Sequence, residues 1–254
     1  MNQKERQESI LNKIKIQESV TTNELVEEFK VSIMTIRRDL HLLEESGYII
    51  LNHGGAVLKK DGHLEHSMMY KQSQFVNEKK SIAKYCASLV NDDETIFIET
   101  GTTAQAVANE LTKKKNLKVH TNSLSVINTL SRFSNIELFV VPGKYRELSD
   151  GFVGPLTNQY IQQFYFDYAF IGTEGIDLKY GLTAPDLDDA LTKKSVVEQS
   201  KSVIIVADHT KFNNVFTHQV CKLNQVTCVV TDEHLDGVIL DEYQGLGVEV
   251  VKTY

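Results

Sequence analysis

Four short stretches in the later part of the chain carry residue types that hold an anionic, hydroxylated small molecule. Within Glu99-Thr100-Gly101-Thr102-Thr103, Gly101-Thr102-Thr103 joins a glycine that lets backbone approach closely, two threonine hydroxyls and the start of a predicted helix. That combination suits a phosphate, and an ordinary capping turn is the plainer reading of it. Gly172-Thr173-Glu174-Gly175 sets two glycines around a carboxylate able to accept from sugar hydroxyls. Lys144-Tyr145-Arg146 follows Pro142-Gly143, and Arg146 can hold an anion by paired hydrogen bonds. Asp208-His209-Thr210-Lys211 closes another apolar run. Each alone is compatible with plain loop chemistry; together on one rim they make a site. A different chemistry lies nearer the N-terminus. On a helix, Ile33, Ile36, Leu40 and Leu43 form one apolar stripe, which predicts burial, and Met34, Arg38 and His41, flanked by Thr35 and Arg37, form the opposite face. An Arg-Arg pair is commonly a solvated face. A helix buried on one side and basic on the other also suits the DNA major groove, with its first residues at base edges.

These groups need elements to position them. Over residues 20–57 a short amphipathic segment with Leu25, Val26 and Phe29 inward, a Lys30-Val31-Ser32 turn, the basic segment and a Gly54-Gly55 hairpin follow without a gap. That is the order of a winged helix-turn-helix. Ser32 is placed to cap the second helix and Thr21 or Thr22 the first, each hydroxyl accepting from an otherwise unpaired N–H. Residues 5–16 read as a preceding helix with Ile10, Leu11 and Ile14 inward. Residues 48–51 read as a strand that returns through Asn52-His53-Gly54-Gly55, which puts His53 near the wing tip. The polar residues 59–77 read as a hinge. Beyond a helix from about 78 to 89, strands are predicted at 95–98, 117–122, 136–141, 168–171, 202–207, 226–231 and 248–251, with helices between them and one at about 186–200. Such alternation predicts an α/β fold, a mainly parallel sheet covered on both faces. Its ligand site belongs at the carboxyl ends of the strands.

At 254 residues the chain can hold a small DNA-binding module (1–58), a linker (59–77) and a larger domain (78–254). A hydrophobic fraction of 41% and a charged fraction of 24% describe a globular protein. No run approaches the ~18 apolar residues of a membrane helix, and the polar start lacks the core of an export signal. A cytoplasmic protein without a membrane partner is expected. Cys86, Cys221 and Cys228 are odd in number with no C-x-x-C spacing, and the eight histidines are scattered, so no disulfide framework, metal or cofactor is expected. The net charge of −7 argues at first against nucleic acid. Residues 1–60, however, hold nine basic and nine acidic residues, so all the excess negative charge lies beyond them. Non-specific affinity should be modest, with specificity resting on a few contacts and on two half-sites bound by a dimer.

Val31-Ser32-Ile33-Met34-Thr35-Ile36-Arg37-Arg38-Asp39-Leu40 and the closing His53-Gly54-Gly55-Ala56 resemble the amino-terminal domain of the DeoR family of bacterial transcriptional regulators. Ile33 stands where an acidic residue is commoner. The family's effector domain is resembled by Glu99-Thr100-Gly101-Thr102-Thr103, Thr121-Asn122-Ser123, Phe152-Val153-Gly154-Pro155, Gly181-Leu182-Thr183-Ala184-Pro185-Asp186 and Ala207-Asp208-His209-Thr210-Lys211-Phe212. Lys193 matches a lysine on the helix that follows. Glu99 replaces the family's usual Asp, and Pro142-Gly143-Lys144 stands where Gly-Gly-x is commoner.

The resemblance implies a sheet of the ribose-phosphate isomerase/CoA-transferase-like type and a repressor of a sugar-uptake or sugar-catabolism operon. A phosphorylated sugar such as fructose 1-phosphate or tagatose 6-phosphate would release it. Double-stranded operator DNA would be met by Thr22, Ser32, Met34, Thr35, Arg37, Arg38, His41 and His53. The effector would be met by Glu99, Gly101, Thr102, Thr103, Asn122, Arg146, Gly172, Thr173, Glu174, Gly175, Lys193, Asp208 and Lys211. A homodimer or homotetramer is expected. One rival is a sugar-phosphate isomerase or transferase with an appended DNA-binding domain, in which Glu99, Glu174, Asp208 and Lys193 do acid-base work. Against it, the sequence lacks Gly-x-Ser-x-Gly, a nucleotide-binding Gly-x-x-x-x-Gly-Lys and a Cys-His nucleophile pair. A second rival, a redox or metal sensor built on the three cysteines, is disfavoured by their spacing.

Overall fold

The computed structural model describes residues 3–17, 19–45, 48–52, 54–58, 65 and 68–254. The chain divides into two compact units, Met1–Tyr70 and Lys71–Tyr254. The first unit runs α1 (Gln3–Gln17), β1 (Ser19–Thr21), α2 (Thr22–Phe29), α3 (Ile33–Glu45), β2 (Ile49–Asn52) and β3 (Gly55–Leu58). Ile10, Leu11 and Ile14 of α1, Leu25 of α2 and Ile36, Leu40 and Leu43 of α3 close one core against Val20, Ile49 and Ala56. Ile33 departs from the expected stripe: it opens α3 and is 41% exposed, because the first turn projects past the end of that core. β1 joins the hairpin, so the wing is a three-stranded antiparallel sheet in the order β1-β3-β2. Gly55 is required there, since a Cβ would lie 2.0 Å from the Val20 carbonyl oxygen. His53 lies outside the described residues.

The stretch expected as a hinge contains the helix α4 (Met68–Ser73) and the start of α5 (Val76–Leu89). The second unit continues with β4 (Thr95–Ile98), α6 (Thr102–Leu111), β5 (Leu117–Thr121), α7 (Leu124–Leu130), β6 (Ile136–Val140), β7 (Lys144–Arg146), β8 (Gly151–Val153), α8 (Pro155–Ile161) and β9 (Phe166–Gly172). It ends with β10 (Gly175–Asp177), β11 (Gly181–Ala184), α9 (Leu187–Glu198), β12 (Ser200–Val206), β13 (His218–Cys221), β14 (Cys228–Asp232), α10 (Gly237–Gly245) and β15 (Val250–Thr253). Seven strands form one parallel sheet in the order β15-β14-β12-β9-β4-β5-β6, the seven predicted from apolar runs.

Alternate residues feed opposite faces, as the two-residue period of a strand requires. Phe97, Ala169, Ile171, Val203 and Ile205 join α8, α9 and the small sheet β10-β11-β13 in one core. Ile96, Ile98, Phe170, Ile204 and Val206 join α5, α6 and α7 in the other. The chain leaves β4 toward β5 and β6 on one side and reaches β9, β12, β14 and β15 on the other. The sheet therefore changes direction between β4 and β9, and ligands of open parallel sheets bind at such a point, outside the carboxyl ends of the strands.

Candidate DNA-reading helix and effector rim

The cap of α2 is Thr21, whose Oγ1 accepts from Glu24 N at 3.2 Å while the Glu24 carboxylate accepts from Thr21 N at 2.8 Å. Thr22 is buried inside the first turn and its N–H donates to the Gly54 carbonyl at 2.7 Å. Its side chain belongs to the packing of the unit. Lys30, in the left-handed conformation at φ 51°, closes α2, and Ser32 caps α3 by accepting from Thr35 N at 3.2 Å. The two hydroxyls of Ser32 and Thr35 lie 2.9 Å apart. Met34 is 68% exposed; Arg37, Arg38 and His41 are exposed beside it, with the His41 ring 3.7 Å from Glu44.

Between these exposed residues Asp39 turns inward, fully buried, and accepts from Arg6 Nε at 2.6 Å and from Gln7 Nε2 at 3.0 Å. Its position three residues after Ile36 in the buried stripe was the signal for this in the sequence. The exposed face of α3 is thus basic because its one aspartate is paired behind it.

At the carboxyl ends of β4 and β9 the residues expected to meet a ligand separate into two clusters. The first is fully buried. Glu99 accepts from Lys193 Nζ at 2.6 Å and from the Thr100 hydroxyl at 2.6 Å, and Asp189 lies 3.3 Å from the same ammonium. One cation serves two carboxylates. Burial, reinforced by Asp189, holds Glu99 above the usual carboxylate range despite Lys193. Burial works against the Lys193 charge, but Asp189 and Glu99 outweigh it and hold the amine above its usual value. Above this floor Gly101, at φ 117°, leads into α6, with Thr102 half-buried and Thr103 buried in its first turn.

The second cluster contains cations in excess. Glu174, in the turn between β9 and β10, lies 2.7 Å from Lys71 Nζ and 3.0 Å from Lys211 Nζ. Burial pushes its carboxyl up, but the two ammonium groups outweigh that and hold it at about 2. Lys79 of α5 is buried beside them and donates to the carbonyls of Lys71 and Gln74. Burial pulls Lys79 down to about 8, with Asp208 opposing and Lys211 and Lys71 assisting. Lys71 and Lys79 were missed by sequence reasoning, because one lies in the polar stretch taken for a hinge and the other on a helix with no neighbouring motif.

The remaining expected residues have local partners. Asp208 is buried and accepts from the Thr210 N–H at 3.1 Å and from its hydroxyl. The Thr173 hydroxyl donates to Gly175 O at 3.1 Å. Asn122 is buried with Nδ2 donating to Phe152 O at 3.0 Å. Arg146 faces Asp186, the cap of α9, at 3.5 Å. A cavity of about 650 Å³ between α6 and α7 has none of the three lysines on its walls and is lined by Gln72, Gln105, Asn109, Asn128 and Arg132 among others. Among the described residues no group of three His, Cys, Asp or Glu is placed to hold a metal, and no helix is long and apolar enough to cross a membrane.

Residues 6–61 match the DeoR-like helix-turn-helix domain and residues 74–233 the DeoR C terminal sensor domain. The glycerol-3-phosphate regulon repressor of Escherichia coli K12 is 35% identical over 91% of this chain and 92% of its own length. The putative aga operon transcriptional repressor of Escherichia coli O157:H7 is 30% identical over 97% and 93%, and the HTH-type transcriptional repressor GlcR of Bacillus subtilis 168 is 31% identical over 100% and 97%. Ribose 5-phosphate isomerase from Plasmodium falciparum, a solved structure, is 20% identical over 53% of this chain and 52% of that one, with a TM-score of 0.39. Relatives that match from end to end are regulators, so the rival reading of an enzyme with a DNA-binding appendage falls. The chain belongs to the DeoR family of DNA-binding transcriptional regulators.

Proposed function

We propose that this protein is a cytoplasmic repressor of a sugar uptake or catabolism operon, and that a phosphorylated sugar seated at the β4–β9 switch point releases it from its operator. The observation that carries the reading is the convergence of Lys71, Lys79 and Lys211 around Glu174, which closely follows Gly172, whose Cα would lie 3.9 Å from a Cβ at Gly101, the residue that opens α6. Ammonium groups and helix N-terminal amides together are what a phosphate requires. The cavity between α6 and α7 has one cation on its walls, Arg132, and is less suited to a dianion. Relatives named for glycerol 3-phosphate and for a lactose phosphotransferase system support a small phosphorylated carbohydrate as the effector class.

On the DNA side, Ser32, Met34, Thr35, Arg37, Arg38 and His41 form the face of α3 offered to the major groove, with the wing following the backbone. A homodimer or homotetramer supplies two such helices roughly 34 Å apart for successive half-sites. Release requires that the sugar phosphate bind the non-operator arrangement more tightly, since equal affinity for both shifts nothing. A thermal-shift screen of the full chain against a panel of sugar phosphates, followed by operator gel shifts with each stabilising compound, tests this. The expected result is one or a few compounds that raise the melting temperature and dissociate the operator complex. A panel that stabilises nothing, or stabilising compounds that leave the operator complex intact, sinks the proposal.

A further inference from the structure

We propose that Glu174 is an intramolecular counter-anion occupying the seat of the effector's phosphate, and that it makes the site selective for dianions over monoanions. This rests on the reading that the lysine cluster is the phosphate seat, and it assigns Glu174 a role opposite to that of a residue reading sugar hydroxyls. Each carboxylate oxygen already has its own cation: Lys71 Nζ on Oε1 at 2.7 Å and Lys211 Nζ on Oε2 at 3.0 Å. The side chains of Lys71, Glu174 and Lys211 are 13%, 15% and 19% exposed, so the cluster is open enough to be entered and dry enough for its charges to act strongly. The three come from α4, the β9–β10 turn and the segment after β12.

An anion entering the rim finds the two ammonium groups taken. Replacing the carboxylate by another single charge exchanges like for like, and the tethered carboxylate holds an effective concentration in the millimolar range or above that a free solute must exceed. A doubly charged anion gains attraction to Lys71 and Lys211 that the carboxylate cannot match, and Lys79 lies alongside with its charge disfavoured by burial first and then by the other two lysines. The exchange changes the partner of Lys71 on α4, the helix through which the second unit is covalently joined to the DNA-reading one. Binding at the rim thereby acts on the connecting segment.

The test uses two tetrahedral anions whose charges do not change near neutral pH: sulfate, a dianion, and methanesulfonate, a monoanion. Each is titrated into the full chain at constant ionic strength while the melting temperature is followed. The wild-type protein is expected to be stabilised by sulfate and not by methanesulfonate. Glu174→Gln is expected to respond to both, with the half-saturating methanesulfonate concentration at least about tenfold lower than in wild type. The same discrimination in Glu174→Gln as in wild type overturns the counter-anion and leaves the phosphate seat standing. If sulfate stabilises neither protein, the phosphate seat itself fails. Should Glu174→Gln not fold, hydrogen exchange in wild type decides the matter: sulfate is expected to speed exchange in the 172–177 turn as the carboxylate is released, and unchanged or slower exchange there overturns the proposal.

Discussion

The two units bury charge in different proportions. In the first, Asp39 meets Arg6 one to one, Gln7 satisfies the other oxygen, and Met34, Arg37, Arg38 and His41 stay outside. In the second, one Lys193 serves Glu99 and Asp189, and one Glu174 serves Lys71 and Lys211. Those clusters are out of balance in opposite senses, two carboxylates to one lysine in the first and two lysines to one carboxylate in the second. A balanced buried pair is explained by the fold alone. An unbalanced one at the strand ends of an α/β sheet is where a ligand completes the charge.

The largest effect should come from breaking the buried negative cluster. Lys193→Met leaves two carboxylates buried without a counter-ion, and the second unit should lose about 3–5 kcal/mol of stability, read by calorimetry as a lowered transition. A loss below about 1 kcal/mol would mean that water or protonation of Glu99 already balances the cluster, and the contrast between the units would dissolve. Next in size is Arg38→Ala in the other unit. It removes an exposed cation with no role in the core, so the melting curve should hold while operator affinity falls by about 1–3 kcal/mol, roughly five- to 150-fold. The stabilisation by the effector should be unchanged in that variant. A retained operator shift would exclude this face of α3 from the groove.

The same contrast explains which parts could be read from the sequence. The face of α3 was legible because an amphipathic helix writes its inside and outside at a fixed period, and the cap at Ser32 marks where it starts. The seven strands of the parallel sheet were legible as apolar runs because both their faces are covered. The short antiparallel pieces were not: β1, β7 and β10 have three residues each, too few for a period, and tertiary pairing alone holds them. The sequence left the cap of α2 open between Thr21 and Thr22 because adjacent threonines offer the same hydroxyl, and the capping box with Glu24 selects Thr21. The rim was half legible. Glu174 and Lys211 stand in loops at strand ends, but Lys71 and Lys79 reach them from 103 and 95 residues before Glu174 in the chain, and only the closed fold brings the lysines together.

A smaller effect should appear with pH. The Lys79 amine sits at about 8 in the folded protein, facing Asp208, Lys211, Lys71 and Glu174, against about 10.4 in an unfolded chain. Between those values the unfolded chain binds more protons, so this group makes the fold more stable as pH rises. Sulfate, by contrast, needs the charged amine. Its stabilising effect should therefore be full below pH 8 and decline as pH passes through about 8, in the direction opposite to the stability of the free protein. Lys79→Gln should flatten that decline. An unchanged pH profile in Lys79→Gln would remove Lys79 from the seat while leaving Lys71 and Lys211 in it.

The smallest effect tests how much of the seat is backbone and hydroxyl rather than cation. Thr102 opens α6 half-buried after Gly101, where the first N–H groups of the helix have no partner within it and the Thr102 hydroxyl adds one more donor. Removing that hydroxyl in Thr102→Ala leaves the helix and its amides intact, so the variant should lose only one hydrogen bond to a charged group, about 1.5–3 kcal/mol at most. Operator binding should be normal, and the sugar-phosphate concentration needed for release should rise by about tenfold to a hundredfold. The response to inorganic sulfate should weaken in parallel if Thr102 touches the phosphate, whereas a loss confined to the sugar phosphate would put Thr102 at the carbohydrate end. A fully normal response to both would leave the three lysines as the whole of the phosphate seat and reduce the Gly101-Thr102-Thr103 loop to the capping turn that its sequence equally allows.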